Sequence, residues 1–168
     1  MQQSQEMLEN SLMITIELQN ILKQEYRLNW NGIHGYPHWV RVRENGLRLA
    51  KMNGANPDVI ELFAFLHDIC RRSNGTDPGH GKRAAEFIDS LEPKLINLSE
   101  TDLDSLKYAC TYHDQGLIEG NITVQTCWDA DRLDLGRVGS VPSPRHLCTS
   151  AAKQPEIIEW ALRRSQSG

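Results

Sequence analysis

The chain has 168 residues, about one domain at the usual ~150 residues per domain. Its 39% hydrophobic and 24% charged residues, with only 12 glycines and 7 prolines, exclude wholesale disorder, collagen-like repeats and low complexity. A net charge of −4 argues against a protein that grips extended nucleic acid, and no run reaches the ~18 apolar residues of a membrane span.

In chain order, residues 5–26 place Ile14, Leu18, Ile21 and Leu22 near one stripe, predicting an amphipathic first helix. From Tyr36 to Asn53, positions His38, Val42, Asn45 and Leu49 recur at helical spacing, so a histidine lies in line with a core-facing stripe, and Gly54 closes the helix. Asn56-Pro57-Asp58 supplies a cap, a first-turn proline and a first-turn acid. The stripe that follows, Ile60, Phe63, Ala64, His67 and Cys70, again carries a histidine. Asp77-Pro78 repeats the cap-and-proline signal ahead of His80, Ala84, Phe87, Ile88 and Leu91. Ser99 to Asp102 has capping-box spacing and opens a stripe of Leu103, Leu106, Cys110 and His113. A helix from Val124 to Leu135, a Gly/Pro-punctuated loop and a last helix from Pro155 to Arg164 complete an all-α chain of six or seven helices. The first ten residues lack the basic region of a secretory leader, and the four widely spaced cysteines fit neither a zinc knuckle nor a disulfide framework. A cytoplasmic protein with reduced thiols is expected.

Four of the six histidines, His38, His67, His80 and His113, thus fall on apolar stripes of four different helices. A hydrogen-bonded core histidine accounts for any one of them; four buried imidazoles each need a partner, and one shared ligand supplies them all. The pair His67-Asp68 directly follows Phe63-Ala64-Phe65-Leu66, which buries its carboxylate. A divalent cation compensates such a charge while neutral imidazole nitrogens fill further coordination positions. His34 is expected at a cleft rim and His146 in a solvated loop.

His38-Trp39-Val40-Arg41-Val42, then Leu66-His67-Asp68-Ile69, then Ala130-Asp131-Arg132-Leu133, in this order, resemble the HD-domain metal-dependent phosphohydrolases. The resemblance covers residues 33–135, within a single HD-type domain spanning 1–168 whose C-terminal loop and helix occupy 136–165. It implies that His38, His67, Asp68 and Asp131 hold a divalent metal (Mn, Fe, Co, Ni, Zn or Mg), with Asp68, His80 and His113 catalytic. One ion or two is left open, since His80 and His113 can serve as ligands to a second. Arg71, Arg72, Lys82 and Arg132 are candidate contacts to the substrate, a small phosphate ester of nucleotide type. Asp129 and Asp134 are expected as local caps or supports of the ligands, and Arg41 as a structural partner of an acid. Gly35-Tyr36-Pro37 spells a signature of the cyclic-dinucleotide-degrading branch but precedes His38 instead of following the His-Asp pair, so it is read as coincidence. A di-iron oxygenase of the same fold and a non-catalytic nucleotide-binding module are the alternatives, and homodimerisation is left open.

Overall fold

Helix formation follows the caps and stripes closely. The computed structural model describes residues 13–167, and among them the chain forms seven α-helices and no strand. These are α1 (Ile16–Glu25), α2 (Tyr36–Asn53), α3 (Pro57–Leu66), α4 (His80–Ser90), α5 (Glu100–Tyr112), α6 (Ile122–Arg132) and α7 (Pro155–Gln166). Three short 3-10 turns lie at Pro93–Leu95, Leu135–Val138 and Pro144–His146. No helix of the described residues is long and apolar enough to cross a membrane.

Side-chain caps set several helix starts. Asn56 accepts the Asp58 N–H ahead of α3, Ser99 accepts the Asp102 N–H ahead of α5, and Gly54 ends α2 at φ 77°. Four boundaries differ from the sequence expectation. The first helix starts at Ile16, because Thr15 caps it by accepting the Leu18 N–H at 3.1 Å; residues 5–12 of the expected helix lie outside the described residues. α3 stops at Leu66, where the Ile69 N–H to Leu66 and the Arg71 N–H to Asp68 close tight turns. Asp77 does not cap α4, which is preceded by Gly79 at φ 81°; its carboxylate instead accepts the Arg72 N–H at 2.6 Å and Arg83 Nη2 at 2.7 Å. Asn121 caps α6 from Val124 and moves its start back to Ile122, and the helix ends at Arg132.

α3 is buried on every side from Val59 to Leu66, so it forms the axis of the core. α2 packs on α3 and α6, α4 packs on α5, and α5 in turn packs on α3 and α6. α1 covers this core with Leu18 and Leu22, while α7 closes a smaller cluster with Leu49, Leu133 and Leu147. Two glycines let long helices approach closely. A Cβ at Gly46 of α2 would lie 2.4 Å from Ile60 Cγ2, and one at Gly81 of α4 would lie 2.3 Å from the Cys110 carbonyl of α5.

The second contact is against backbone and has no flexible atom to yield, so Gly81→Ala must push α4 away from α5. We expect a loss of about 1–3 kcal/mol of stability, the usual cost of overpacking. Thermal denaturation should show it as a drop in Tm of roughly 2–4 °C per kcal/mol, whereas an unchanged Tm would mean that the two helices separate freely.

Candidate metal centre

The site is built from helix ends. His38 sits in the first turn of α2, His67 and Asp68 just past the end of α3, and His80 at the first residue of α4. His113 caps the end of α5, and Asp131 lies in the last turn of α6. Carbonyls near helix ends have acceptor capacity to spare, and the imidazoles use several of them. His67 Nδ1 lies 3.0 Å from the Phe63 carbonyl and 3.2 Å from that of Ala64, and His113 Nδ1 lies 2.7 Å from that of Cys110. Ahead of α4, His80 Nδ1 lies 2.7 Å from the Asp77 carbonyl. A carbonyl only accepts, so all three rings donate from Nδ1. In His38, Nδ1 faces Asp134 Oδ2 at 2.6 Å and donates to it.

In its neutral form each of these rings carries its lone pair on Nε2, and the four Nε2 atoms converge. His38 Nε2 lies 3.2 Å from His67 Nε2, and His80 Nε2 lies 2.9 Å from His113 Nε2. Asp68 stands between the pairs. Its Oδ2 lies 3.8 Å from His38 Nε2 and 3.7 Å from His67 Nε2, while its Oδ1 lies 3.1 Å from His80 Nε2 and 3.4 Å from His113 Nε2. Asp131 Oδ1 completes the first group at 3.3 Å from His38 and 3.6 Å from His67. His38-His67-Asp68 and Asp68-His80-His113 each present donor atoms within 4.8 Å of one another, close enough to hold an ion. Facing lone pairs repel unless a cation lies between them, and an Nδ1–H spent on a carbonyl or carboxylate is the support that metal-binding histidines require. The donor set therefore fits a divalent metal, with nitrogen and carboxylate oxygen mixed.

Burial pushes the Asp68 carboxyl up, but the surrounding imidazoles, His67 first, outweigh it and hold the group well below the usual carboxylate range. Asp131 is held low in the same way, with burial opposed by His38 and His67. Burial pushes His67 down and favours its neutral ring, whereas in His113 the adjacent Asp68 outweighs burial and raises the imidazole.

His38, His67, Asp68, Asp131, His80 and His113, all singled out from the sequence, are thus brought together. Of the basic candidates, Arg71 joins them, with Nε 3.1 Å from Asp68 Oδ1 and Nη1 on the Ser73 and Gly75 carbonyls. Lys82 is exposed beside Glu86, Arg72 is exposed, and Arg132 spends its guanidinium on the Leu117 and His146 carbonyls. Sequence reasoning placed His34 at a rim, but it is buried, with Nδ1 3.2 Å from Asp68 Oδ2 and Nε2 3.2 Å from the Asn74 carbonyl. It missed Arg137, whose Nη2 reaches within 4.0 Å of Asp131 and whose Nε donates to the Ile33 carbonyl. The three late aspartates divide their work. Asp131 faces the histidines, Asp134 accepts from His38 and from Arg41 Nε at 2.7 Å, and Asp129 accepts the Cys148 and Thr149 N–H groups. His146 is exposed, as expected.

No family model matches the chain, and no curated protein does. Among solved structures, the chain is similar to a predicted HD superfamily hydrolase from an uncultured Thermotogales bacterium, with a TM-score of 0.70. The two are 24% identical, and the match covers 95% of this chain and 90% of that one. The chain has the HD-domain fold, in agreement with the three motifs that resemble that superfamily.

Asp134→Asn leaves one acceptor oxygen where His38 and Arg41 now use two. We expect metal affinity to fall about 10–100-fold, the usual cost of losing such a support, whereas Asp129→Asn should leave it unchanged. Metal titration by calorimetry separates the two, and equal affinities in both variants would remove Asp134 from the site.

Proposed function

We propose that the protein is a metal-dependent hydrolase of phosphate esters, with a nucleotide as the substrate class favoured by the family resemblance. One observation carries the reading: the two oxygens of a single buried carboxylate, Asp68, each face a separate pair of histidine Nε2 atoms whose protons are committed elsewhere. The shared fold with a predicted hydrolase supports it. His38, His67, Asp68 and Asp131 would hold one divalent ion, and Asp68, His80 and His113 a second. When bound, such an ion polarises a phosphoryl oxygen and lowers the pKa of a water molecule.

The chain's own groups supply the rest. Asp68 remains ionised and joins the two halves. Asp134 and the helix-end carbonyls orient the imidazoles and fix a proton on Nδ1, so that Nε2 is the nitrogen turned to a metal. Arg71 balances Asp68 and has no partner on Nη2 among the described residues, which leaves that donor for a phosphate oxygen; Arg137 stands beside Asp131 in the same capacity. His80 and His113 point at Asp68 Oδ1, so we assign them as ligands ahead of leaving-group contacts. The substrate is a small molecule, and the four unpaired cysteines suit the reducing cytoplasm.

A screen of nucleoside mono-, di- and triphosphates and of simple aryl phosphates, each with Mn, Co, Ni, Zn, Mg or Fe, tests the activity. Hydrolysis should require metal, stop on chelation and be lost in Asp68→Ala. Metal-dependent oxygen consumption by an iron-loaded protein that leaves every phosphate ester intact would overturn it in favour of an oxygenase. Elemental analysis should give two ions per chain in the wild type and one in His80→Ala, His113→Ala. One ion in the wild type, retained in the double variant with loss of activity, would assign both histidines to substrate.

A further inference from the structure

A cleft of about 790 Å³ opens between α1, the start of α2 and α7, and none of the site histidines, Asp68 or Asp131 lines it. Its α2 wall is Tyr36, Pro37, Val40, Arg41 and Glu44, a different face of that helix from the stripe of His38, Val42, Asn45 and Leu49. Its volume is that of a small-molecule site. Two features define the ligand chemistry. Aromatic rings form the walls: Trp30 stacks on Tyr36 at 5.4 Å and 20°, and Trp160 comes from α7. Cations outnumber acids, since Lys23, Arg41, Arg163 and Arg164 line the cleft against Glu44.

The cations are not equally committed. Arg164 is bound by Glu44 and Asn45 and lies over Trp160, 4.4 Å from the ring centroid, and Arg48 lies over the same ring at 4.2 Å, which leaves the edge of Trp160 for a ligand. Arg163 makes only an exposed pair with Glu159. Lys23 lies 5.9 Å from the Trp30 centroid and has no carboxylate partner among the described residues. Arg41 gives Nε and Nη2 to Asp134, which leaves Nη1 without a partner among the described residues although the side chain is 15% exposed. A partly buried guanidinium with an unspent donor, beside stacked rings, suits an anionic group attached to a planar ring.

The cleft is separated from the metal centre by a layer of bonds. Asp134 receives Arg41 on the cleft side and the His38 Nδ1–H on the other, while His38 Nε2 points away toward His67 and Asp131. A molecule in the cleft meets the wrong end of the His38 ring and does not reach the facing Nε2 atoms.

We propose that this cleft is a second binding site, for a planar aromatic phosphate of mononucleotide size, with the phosphate on Arg41 and Lys23 and the ring against Trp30 and the edge of Trp160. The inference does not depend on the proposed hydrolase activity, because its readout is binding.

Calorimetric titration with AMP, GMP, CMP and riboflavin 5′-phosphate tests it on the protein as purified and on Asp68→Ala, or on chelator-treated wild type should that variant fail to fold. At least one of these probes should bind saturably in all forms, and the corresponding nucleoside and inorganic phosphate at least tenfold more weakly. Lys23→Glu, Arg163→Glu, both exposed positions, should weaken binding at least tenfold while metal content stays the same; Trp160→Leu should do likewise. Saturable binding that is lost with the metal and indifferent to Lys23, Arg163 and Trp160 would place the ligand at the metal centre and overturn the proposal. So would the absence of saturable binding by all four probes at millimolar concentration.

Discussion

A carboxylate buried among imidazole lone pairs is the constraint on which this structure turns. Asp68 is 2% exposed, and an ionised carboxylate removed from water costs several kcal/mol unless compensated. Arg71 offers one charge at 3.1 Å. His34 Nδ1 lies 3.2 Å from the other oxygen, and the remaining neighbours are Nε2 atoms of rings whose Nδ1 protons go to carbonyls or to Asp134. In their neutral form those four rings offer electron density, and a cation held among them balances the arrangement, which is why the ring tautomers say more about function than the presence of histidines does.

The fold serves this constraint by bringing helix ends together. Carbonyls at the ends of α3 and α5 and the Asp77 carbonyl ahead of α4 can each accept a further donor, and histidine is the side chain that can donate from one nitrogen while keeping a lone pair on the other. The same residues that finish the helices therefore also prepare the site. The 147–152 segment is tied to α6 by Asp129, which accepts two N–H groups and the Thr149 hydroxyl on the side away from the histidines.

Much of this was legible in the sequence because it is periodic or local. The bounds of α2 at Tyr36 and Asn53, the caps at Asn56 and Ser99, and the four histidine-bearing stripes all follow from spacing and cap chemistry. What was not legible is what spacing does not encode. His34 lies in a loop with no period, yet it meets Asp68 across 34 residues. Asp134 finds His38 96 residues away and Arg41 93 away, and Arg137 reaches back 104 residues to the Ile33 carbonyl. Asp77-Pro78 carries a helix-start signal, but the Arg72 amide and Arg83 claim its carboxylate, and Gly79 takes the position before the helix. The motif Gly35-Tyr36-Pro37 has a local explanation: Pro37 occupies the first turn of α2, and a Cβ at Gly35 would lie 2.2 Å from the Trp30 carbonyl.

The two halves of the site rest on different packing units. His38, His67 and Asp131 belong to α2, α3 and α6, which pack directly on one another around the core axis. His80 and His113 belong to the α4–α5 pair, whose register depends on the close approach at Gly81 and which meets the axis chiefly through α5. Asp68, in the turn that ends α3, is the one group facing both pairs of Nε2 atoms, with one oxygen toward each. The first half is therefore as rigid as the core itself, while the second is only as well placed as α4 is against α5. A change at that helix contact acts first on His80 and reaches the His38–His67 half through His113, whose ring lies 5.0 Å from that of His67.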